Sequence, residues 1–301
     1  MPYAVSTDGT RIWYDVSGSG PPFVFSHAWT QSSGYFARHA AVLGRRRTVV
    51  VRDARGHGRS GVPHGPEAYS IPLHAEDLRA VMDAVGIRKA VVAGHSMGGL
   101  TSLEFYRRFP ERVQALVLIC TPPRPPVLTS AIPRALAPAL RWMTGWGAVA
   151  GGLHDRLFLP VHALSARVLT SRPVPVQPYR MSVFGNLRSW KGEDDDVRES
   201  VRLILACPFE VMLGCFHQMA LFDPAPILPT ISVPTLVFAA DNDWMVLPSH
   251  VRNYQRLIPG SSFRMLHGEG SHMAVLTAWE EVCREILAFL ESPSFSMAFR
   301  R

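Results

Sequence analysis

The stretch from Ala90 to Leu100, AVVAGHSMGGL, joins a short apolar run to helix-compatible residues through a glycine-rich break. A continuous apolar run such as Ala90–Val92 is typical of a strand buried on both faces. The glycines around Ser96 permit a backbone turn that few other residues can make. Two interpretations follow. The break is either a sharp strand-to-helix turn, or a Gly-x-Ser-x-Gly nucleophile elbow, which presents a strained serine hydroxyl above a sheet.

Similar apolar runs occur on both sides of this stretch. They are Phe23–Phe25, Thr48–Val51, Ala115–Ile119, Pro234–Ala239 and Phe263–Leu266. Between them, apolar residues at helical spacing end at Gly86, and Thr277 with Glu280 forms a capping-box pattern before a last helix. That helix would bury Val282, Ile286 and Leu290. This alternation predicts an α/β fold, with a mostly parallel central sheet and helices on both faces.

The segment from residue 122 to residue 229 differs in composition from the rest of the chain. It opens with TPPRPPV, is rich in proline, glycine and tryptophan, and has helical patterns without a series of strand-like runs. An insertion at the carboxyl ends of parallel strands lies where such folds build their binding crevice. We therefore predict a core made of residues 1–121 and 230–301, and an inserted, mainly helical lid made of residues 122–229.

Composition argues against a nucleic-acid-binding, a membrane-spanning or a secreted protein. The 301 residues carry a net charge of +7, but the cations form no tract, so we predict no nucleic-acid partner. The most hydrophobic stretch, Trp142–Leu153, is interrupted by glycines and is too short to span a membrane. The N-terminus lacks a signal-peptide pattern, so a cytoplasmic location is expected.

Metal and disulfide sites are also not expected. The acidic run Glu193–Asp196 is typical of a helix cap or a solvated loop, because hard cations need oxygens arranged around a point. The cysteines have neither metal-ligand spacing nor the density of a disulfide framework. They are Cys120, Cys207, Cys215 and Cys283. We predict a protein without metal or cofactor.

A reactive serine would need two further groups. A hydroxyl is a weak nucleophile until a base takes its proton and a carboxylate orients that base. Asp243 lies in VFAADNDWMV, directly after a strand-like run, and His272 lies in HGEGSHMAV, a glycine-containing loop before the last helix. His267 ends a strand-like run and His250 falls in a helical pattern, so His272 is the favoured base.

Four motifs in this order resemble the α/β-hydrolase superfamily, and in particular its lid-bearing esterases and lactonases, over nearly the whole chain. They are SHAWT at Ser26–Thr30, DARGHGRS at Asp53–Ser60, GHSMGG at Gly94–Gly99, and the loops of Asp243 and His272. The resemblance implies the chain order of nucleophile Ser96, acid Asp243 and base His272. Relatives place the acid four positions after the small residue that ends the strand, which favours Asp243 and leaves Asp241 as the alternative.

The resemblance also implies an oxyanion hole built from the backbone N–H groups of Met97 and Trp29. Relatives usually have His-Gly where this chain has His27-Ala28, and the alanine Cβ restricts the backbone that carries the second donor. Asp53 and the turn that contains His57 are expected to support the loop beside this hole.

A serine nucleophile excludes the aspartate-dependent members of the superfamily and leaves acyl transfer. We expect a carboxylic ester hydrolase acting on an apolar small-molecule ester or lactone through an acyl-enzyme, with lid aromatics at the substrate. The trial set is Trp142, Phe184 and Phe216. Carbon–carbon bond hydrolysis and cofactor-free perhydrolysis on the same triad are alternatives, although relatives of the former kind usually have tryptophan in place of Met273. A catalytically idle small-molecule binding protein is the alternative from another class.

Overall fold

A computed structural model of the chain describes residues 2–125, 194–267, 271–293 and 295. Their strands are β1 (Tyr3–Val5), β2 (Arg11–Ser17), β3 (Pro22–Ser26), β4 (Thr48–Arg52), β5 (Ala90–His95), β6 (Val113–Ile119), β7 (Thr235–Ala240) and β8 (Ser262–Leu266). They form one eight-stranded sheet in the order β1-β2-β4-β3-β5-β6-β7-β8. Strand β2 pairs antiparallel with β1 and β4, and the remaining neighbours pair in parallel.

Helices connect these strands. They are α1 (Ala37–Leu43), α2 (Ile71–Val85), α3 (Met97–Arg108), α4 (Asp194–Ala206), α5 (Phe209–Leu221), α6 (Pro248–Val251), α7 (Tyr254–Leu257), α8 (Ala274–Thr277) and α9 (Trp279–Leu290). Helix α2 ends at Gly86, whose φ of 77° is left-handed, as the sequence predicts. Within the described ranges, none of the helices combines the length and the apolar composition of a bilayer-spanning segment.

Both faces of the sheet are buried. Along β3, Phe23 and Phe25 pack into one hydrophobic cluster, while Val24 between them packs into another. Successive side chains of a strand point to opposite faces, so the two clusters lie on opposite sides of the sheet. Helices α1 and α9 pack together, as do α2 and α3. The predicted fold class is confirmed.

The predicted start of the last helix is wrong. Thr277 is the final residue of the short helix α8, and α9 begins at Trp279 after Ala278, without a side-chain cap. Residues Ala274 and Val275 of α8 are buried in the core, so packing directs the chain into a helical turn before the capping-box pattern is reached. The predicted apolar face of α9 is buried as expected, at Val282, Ile286 and Leu290.

Part of the predicted lid is described. Residues 194–229 contain α4 and α5, and Asp194 is the first residue of α4. Helix α5 packs against the core, with Val211 and Cys215 in one buried cluster with Tyr69 and Met97. This contact places α5 over the start of α3. Residues 126–193, which include Trp142 and Phe184, lie outside the described residues, and the boundaries of the lid remain a prediction.

Candidate active site

Ser96 occupies the turn between β5 and α3. Its φ of 53° and ψ of −114° lie outside the regions that residues with a side chain favour. The N–H of Ser96 donates to the carbonyl oxygen of Ile119 at 2.9 Å, which ties the turn to the end of β6. A strained residue held by its neighbours in this way is the geometry of a nucleophile elbow.

The glycines of the motif permit a very close approach of backbone segments. A Cβ at Gly94 would overlap the carbonyl group of Gly98, and a Cβ at Gly98 would overlap that of Ser26. A Cβ at Gly99 would meet the side chain of Thr121. The start of α3 therefore lies directly against the end of β3, where the loop from His27 to Gln31 begins.

The three residues of the predicted triad are in contact. His272 Nε2 lies 2.9 Å from Ser96 Oγ, and His272 Nδ1 lies 2.8 Å from Asp243 Oδ2. Asp243 follows β7, and His272 lies in a short 3-10 turn after β8. Because an ionised carboxylate can only accept, the proton on a neutral His272 belongs on Nδ1. Nε2 is then free to accept the hydroxyl proton of Ser96.

The two candidate acids have different partners. Asp243 is buried, and its Oδ1 accepts hydrogen bonds from the N–H groups of Met245 and Val246, each at 2.9 Å. Asp241 Oδ2 instead lies 3.3 Å from Nδ1 of the exposed His267. The contact to His272 is thus made by Asp243.

A buried thiol adjoins the carboxylate. Cys120 follows β6, and its buried side chain lies close enough to Asp243 for the carboxylate charge to act on the thiol. Burial, together with the charge of Asp243, raises the pKa of this thiol well above its usual range, so it stays protonated and can donate to the carboxylate. Sequence reasoning treats Cys120 as a small buried hydrophobe, because the contact comes from a strand end 123 positions before Asp243.

His95 holds the main chain of His272 in place through a hydrogen bond. Its Nε2 lies 2.9 Å from the carbonyl oxygen of His272, and the two rings are 4.9 Å apart. Burial, and next the charge of His272, lower the pKa of His95 well below its usual range. The neutral ring therefore carries its proton on Nε2 and donates it to that carbonyl. On its other side His95 stacks on Tyr35, at 5.5 Å between ring centroids.

The predicted oxyanion donors belong to two segments, the start of α3 and the loop after β3. Met97 is the first residue of α3, so its N–H has no acceptor within the helix. Trp29 lies in the loop after β3 and lines the same cavity as Ser96 and His272. In the part of the chain that the structure describes, neither backbone N–H has a hydrogen-bond acceptor.

Buried histidines brace the loop of Trp29. The N–H of Ala54 donates to His27 Nε2 at 2.9 Å, and the N–H of Thr30 donates to His57 Nε2 at 3.1 Å. Burial lowers the pKa of His57 to about 4 and that of His27 well below its usual range, so both rings are neutral and can accept. The support expected from the turn that contains His57 is present.

Ala28 fits this loop without backbone strain. Among the described residues, the non-glycine positions with positive φ are Thr30, Ser96 and Cys120, so Ala28 does not need the left-handed conformation that favours glycine. The next residue, Trp29, donates its indole N–H to the carbonyl oxygen of Met212 at 3.0 Å. That hydrogen bond ties the loop to α5.

A cavity of about 250 Å³ opens above Ser96 and His272. Its apolar wall consists of Ala28, Trp29, Pro122, Ile204, Met212, Phe216, Met219, Trp244, Met245, Val246 and Met273. Its other members are Thr30 and Gln31. Of the aromatic trial set, Phe216 lines the cavity, while Trp142 and Phe184 lie outside the described residues. The described ranges contain no group of three or more His, Cys, Asp or Glu side chains placed to hold a metal ion.

Comparison with known proteins assigns the fold family. A family model described as the α/β hydrolase fold matches residues 21–278. A RutD protein of Azorhizobium caulinodans, named as a carbamate hydrolase, is 29% identical over 254 residues, which cover 83% of each chain. The enol-lactonase of Burkholderia xenovorans LB400 has the same fold, with a TM-score of 0.72 and 24% identity over 97% of this chain and 100% of that chain. Est816, described as an N-acyl homoserine lactone degrading enzyme, superposes with a TM-score of 0.68 and 26% identity over 96% of this chain and 100% of its own. The chain belongs to the α/β-hydrolase fold family.

Proposed function

We propose that the protein is a serine hydrolase that cleaves a small apolar carboxylic ester or lactone through an acyl-enzyme. The observation that carries the proposal is the chain of contacts from Ser96 Oγ through the His272 ring to Asp243, at 2.9 Å and 2.8 Å. A hydroxyl, an imidazole and a carboxylate in this order form the arrangement that activates serine for attack on a carbonyl carbon.

In the first half of the reaction, Ser96 Oγ bonds to the carbonyl carbon while its proton moves to Nε2 of His272. The imidazolium that forms is stabilised by Asp243, which remains ionised. The carbonyl oxygen becomes an oxyanion, for which the Met97 and Trp29 N–H groups are the proposed donors. When the carbon–oxygen bond to the leaving group breaks, His272 returns its proton to the departing alkoxide.

The second half releases the acid. A water molecule loses a proton to His272 Nε2 and attacks the acyl carbon. Collapse of the second tetrahedral intermediate breaks the bond to Ser96 Oγ, which recovers its proton from His272. No cofactor enters either half, because acyl transfer to water requires neither oxidation nor reduction.

The size and lining of the cavity favour a small and mainly apolar substrate. Its volume of about 250 Å³ lies below the range of roughly 300–1,000 Å³ for drug-sized ligands. Phe216 and Met219 of α5 contribute to the wall, so the lid helix would contact the acyl or alcohol part. Est816 is described as an N-acyl homoserine lactone degrading enzyme and the Burkholderia xenovorans protein as an enol-lactonase, which supports including lactones in the first assays.

The test is covalent labelling with a fluorophosphonate, followed by peptide mass spectrometry. The adduct should lie on the peptide that contains Ser96, and Ser96→Ala should lose labelling and lower kcat by about 10⁶-fold, the scale for loss of a serine nucleophile. Ser102→Ala is the matched control, because Ser102 is buried in α3 and its hydroxyl donates to the carbonyl oxygen of Gly98. It should label normally.

Turnover completes the test. A panel of chromogenic esters of increasing chain length, with several lactones, should give hydrolysis that Ser96→Ala abolishes. An adduct on another residue, or turnover retained by folded Ser96→Ala, would refute the proposal. Normal labelling without turnover of any substrate in the panel would favour a binding protein that keeps an intact triad.

A further inference from the structure

One polar side chain in the wall of the catalytic cavity has no hydrogen-bond partner among the described residues. The described lining of the cavity is apolar except for Ser96, His272, Thr30 and Gln31. Ser96 and His272 contact each other, and the Thr30 hydroxyl donates to the carbonyl oxygen of Trp29 at 2.6 Å. The side-chain amide of Gln31 takes part in none of these contacts.

The side-chain carbonyl oxygen of Gln31 is buried without a hydrogen bond. The residue is 3% exposed, and its Oε1 has no partner. Throughout the described ranges this side-chain amide makes no hydrogen bond. Its backbone is nevertheless held in place, because the N–H of Gln31 donates to the carbonyl oxygen of Ala28 at 3.2 Å. Buried amides normally find partners, so an unpaired one in the wall of a binding cavity indicates a group that a ligand completes.

The position of Gln31 fits a role in substrate recognition. It lies two residues after Trp29, beside the proposed oxyanion hole. Thr30 and Gln31 also line a larger groove of about 1210 Å³, so they form the boundary between that groove and the catalytic cavity. A substituent that extends from the reacting carbonyl toward the groove would pass this amide.

We propose that Gln31 binds a neutral hydrogen-bonding group of the substrate, and that the preferred substrate is an ester or lactone with a secondary amide next to the reacting carbonyl. This inference rests on the proposed serine hydrolase function and specifies its substrate. A carboxamide can both donate and accept, so it complements an amide in either direction. The described residues that line the catalytic cavity include no Asp, Glu, Lys or Arg, so a charged group held inside that cavity would be buried without an opposite charge, which is costly.

The experiment compares two substrates that differ in one group. The first is an N-acylamino ester or lactone, and the second is its analogue with a two-carbon methylene unit in place of the amide. Gln31→Met keeps an unbranched side chain of similar volume and removes both hydrogen-bonding atoms. It should lower kcat/KM for the amide substrate by about tenfold, as for loss of one neutral hydrogen bond, and leave the methylene analogue within about twofold.

Stability distinguishes recognition from a structural role. Gln31→Met should leave the Tm unchanged or raise it, because it removes an unpaired buried carbonyl oxygen and leaves no hydrogen-bond partner unsatisfied. The matched control is Gln218→Met in α5, whose amide donates to Glu67 at 3.2 Å. That variant should lower the Tm and keep the wild-type ratio of the two substrates.

The outcomes separate the inference from the proposed function. Equal loss on both substrates in Gln31→Met would assign Gln31 to support of the oxyanion loop and overturn its role in recognition. A wild-type protein that hydrolyses both substrates equally well would overturn the preference for an amide. A wild-type protein that neither hydrolyses esters nor reacts with the fluorophosphonate would instead refute the serine hydrolase function itself.

Discussion

Replacing Asp243 by asparagine should inactivate the protein through the tautomer of one histidine. The two N–H groups that reach Oδ1, from Met245 and Val246, are both donors at 2.9 Å. An asparagine at this position must therefore turn its amide oxygen toward them and its NH₂ group toward His272 Nδ1. Nδ1 then has to accept, so the ring proton moves to Nε2, where it blocks transfer from the Ser96 hydroxyl.

The size of the effect follows from this orientation. Loss of the correct histidine tautomer lowers kcat by about 10⁴-fold in serine hydrolases, which corresponds to about 5 kcal/mol of activation free energy. The KM should change little, because Asp243 is not among the residues that line the cavity. Asp241→Asn is the control, because Asp241 lies 3.3 Å from His267. It should keep kcat within about twofold.

The assay is steady-state hydrolysis of a chromogenic ester, with thermal unfolding to confirm that each variant is folded. If folded Asp243→Asn keeps kcat within about tenfold of the wild type, the reasoning from the two backbone donors is refuted. A greater loss in Asp241→Asn than in Asp243→Asn would assign the acid to Asp241.

His95→Phe keeps an aromatic ring behind His272 but removes the N–H that holds its carbonyl group, so kcat should fall about 10–100-fold at nearly constant KM. Tyr106→Phe removes a partly buried hydrogen bond to the carbonyl oxygen of Thr230 and should not change kcat. Equal kcat in the two variants would contradict a positioning role for His95. Stability should depend on pH, because burial lowers the pKa of His57 to about 4 and of His39 to about 3, so the unfolded chain binds these protons first as the pH falls. The stability present at neutral pH should decline below about pH 6.5, by up to about 1.4 kcal/mol per pH unit for each such histidine, and a urea midpoint that stays constant down to pH 4.5 would contradict this.

Strands covered on both faces were predictable, whereas the strands at one edge were not. The runs Phe23–Phe25 and Thr48–Val51 are continuously apolar because helices cover both sides of the sheet, and each lies within an observed strand. Strand β2, Arg11–Ser17, mixes polar and apolar residues and is exposed at four of its seven positions, so it lacks that signal. Its strand structure depends on pairing with β1 and β4.

At the last helix, by contrast, a local pattern is present but does not decide where the helix begins. Thr277 and Glu280 have the spacing of a capping box, yet the chain is already helical at Thr277. A cap contributes roughly 1 kcal/mol, whereas burying one large apolar side chain contributes about 1.5–3 kcal/mol. Packing of α8 against the core therefore outweighs the local preference.

The sequence by itself determined the fold class and marked the elbow, because continuous apolar runs and a glycine-rich break after one of them are local patterns. The structure gives the reason for two of the glycines, since a Cβ at Gly98 would overlap the carbonyl group of Ser26 and a Cβ at Gly99 would overlap the side chain of Thr121. Tertiary structure alone decided which side chains meet. Ser96 and His272 are 176 positions apart, and their contact depends on where β5 and β8 lie in the sheet. The spacing in relatives favours Asp243 and leaves Asp241 open, and the contact with His272 that separates the two comes from packing between distant segments. The unpaired side-chain oxygen of Gln31 in the cavity wall also arises from such packing.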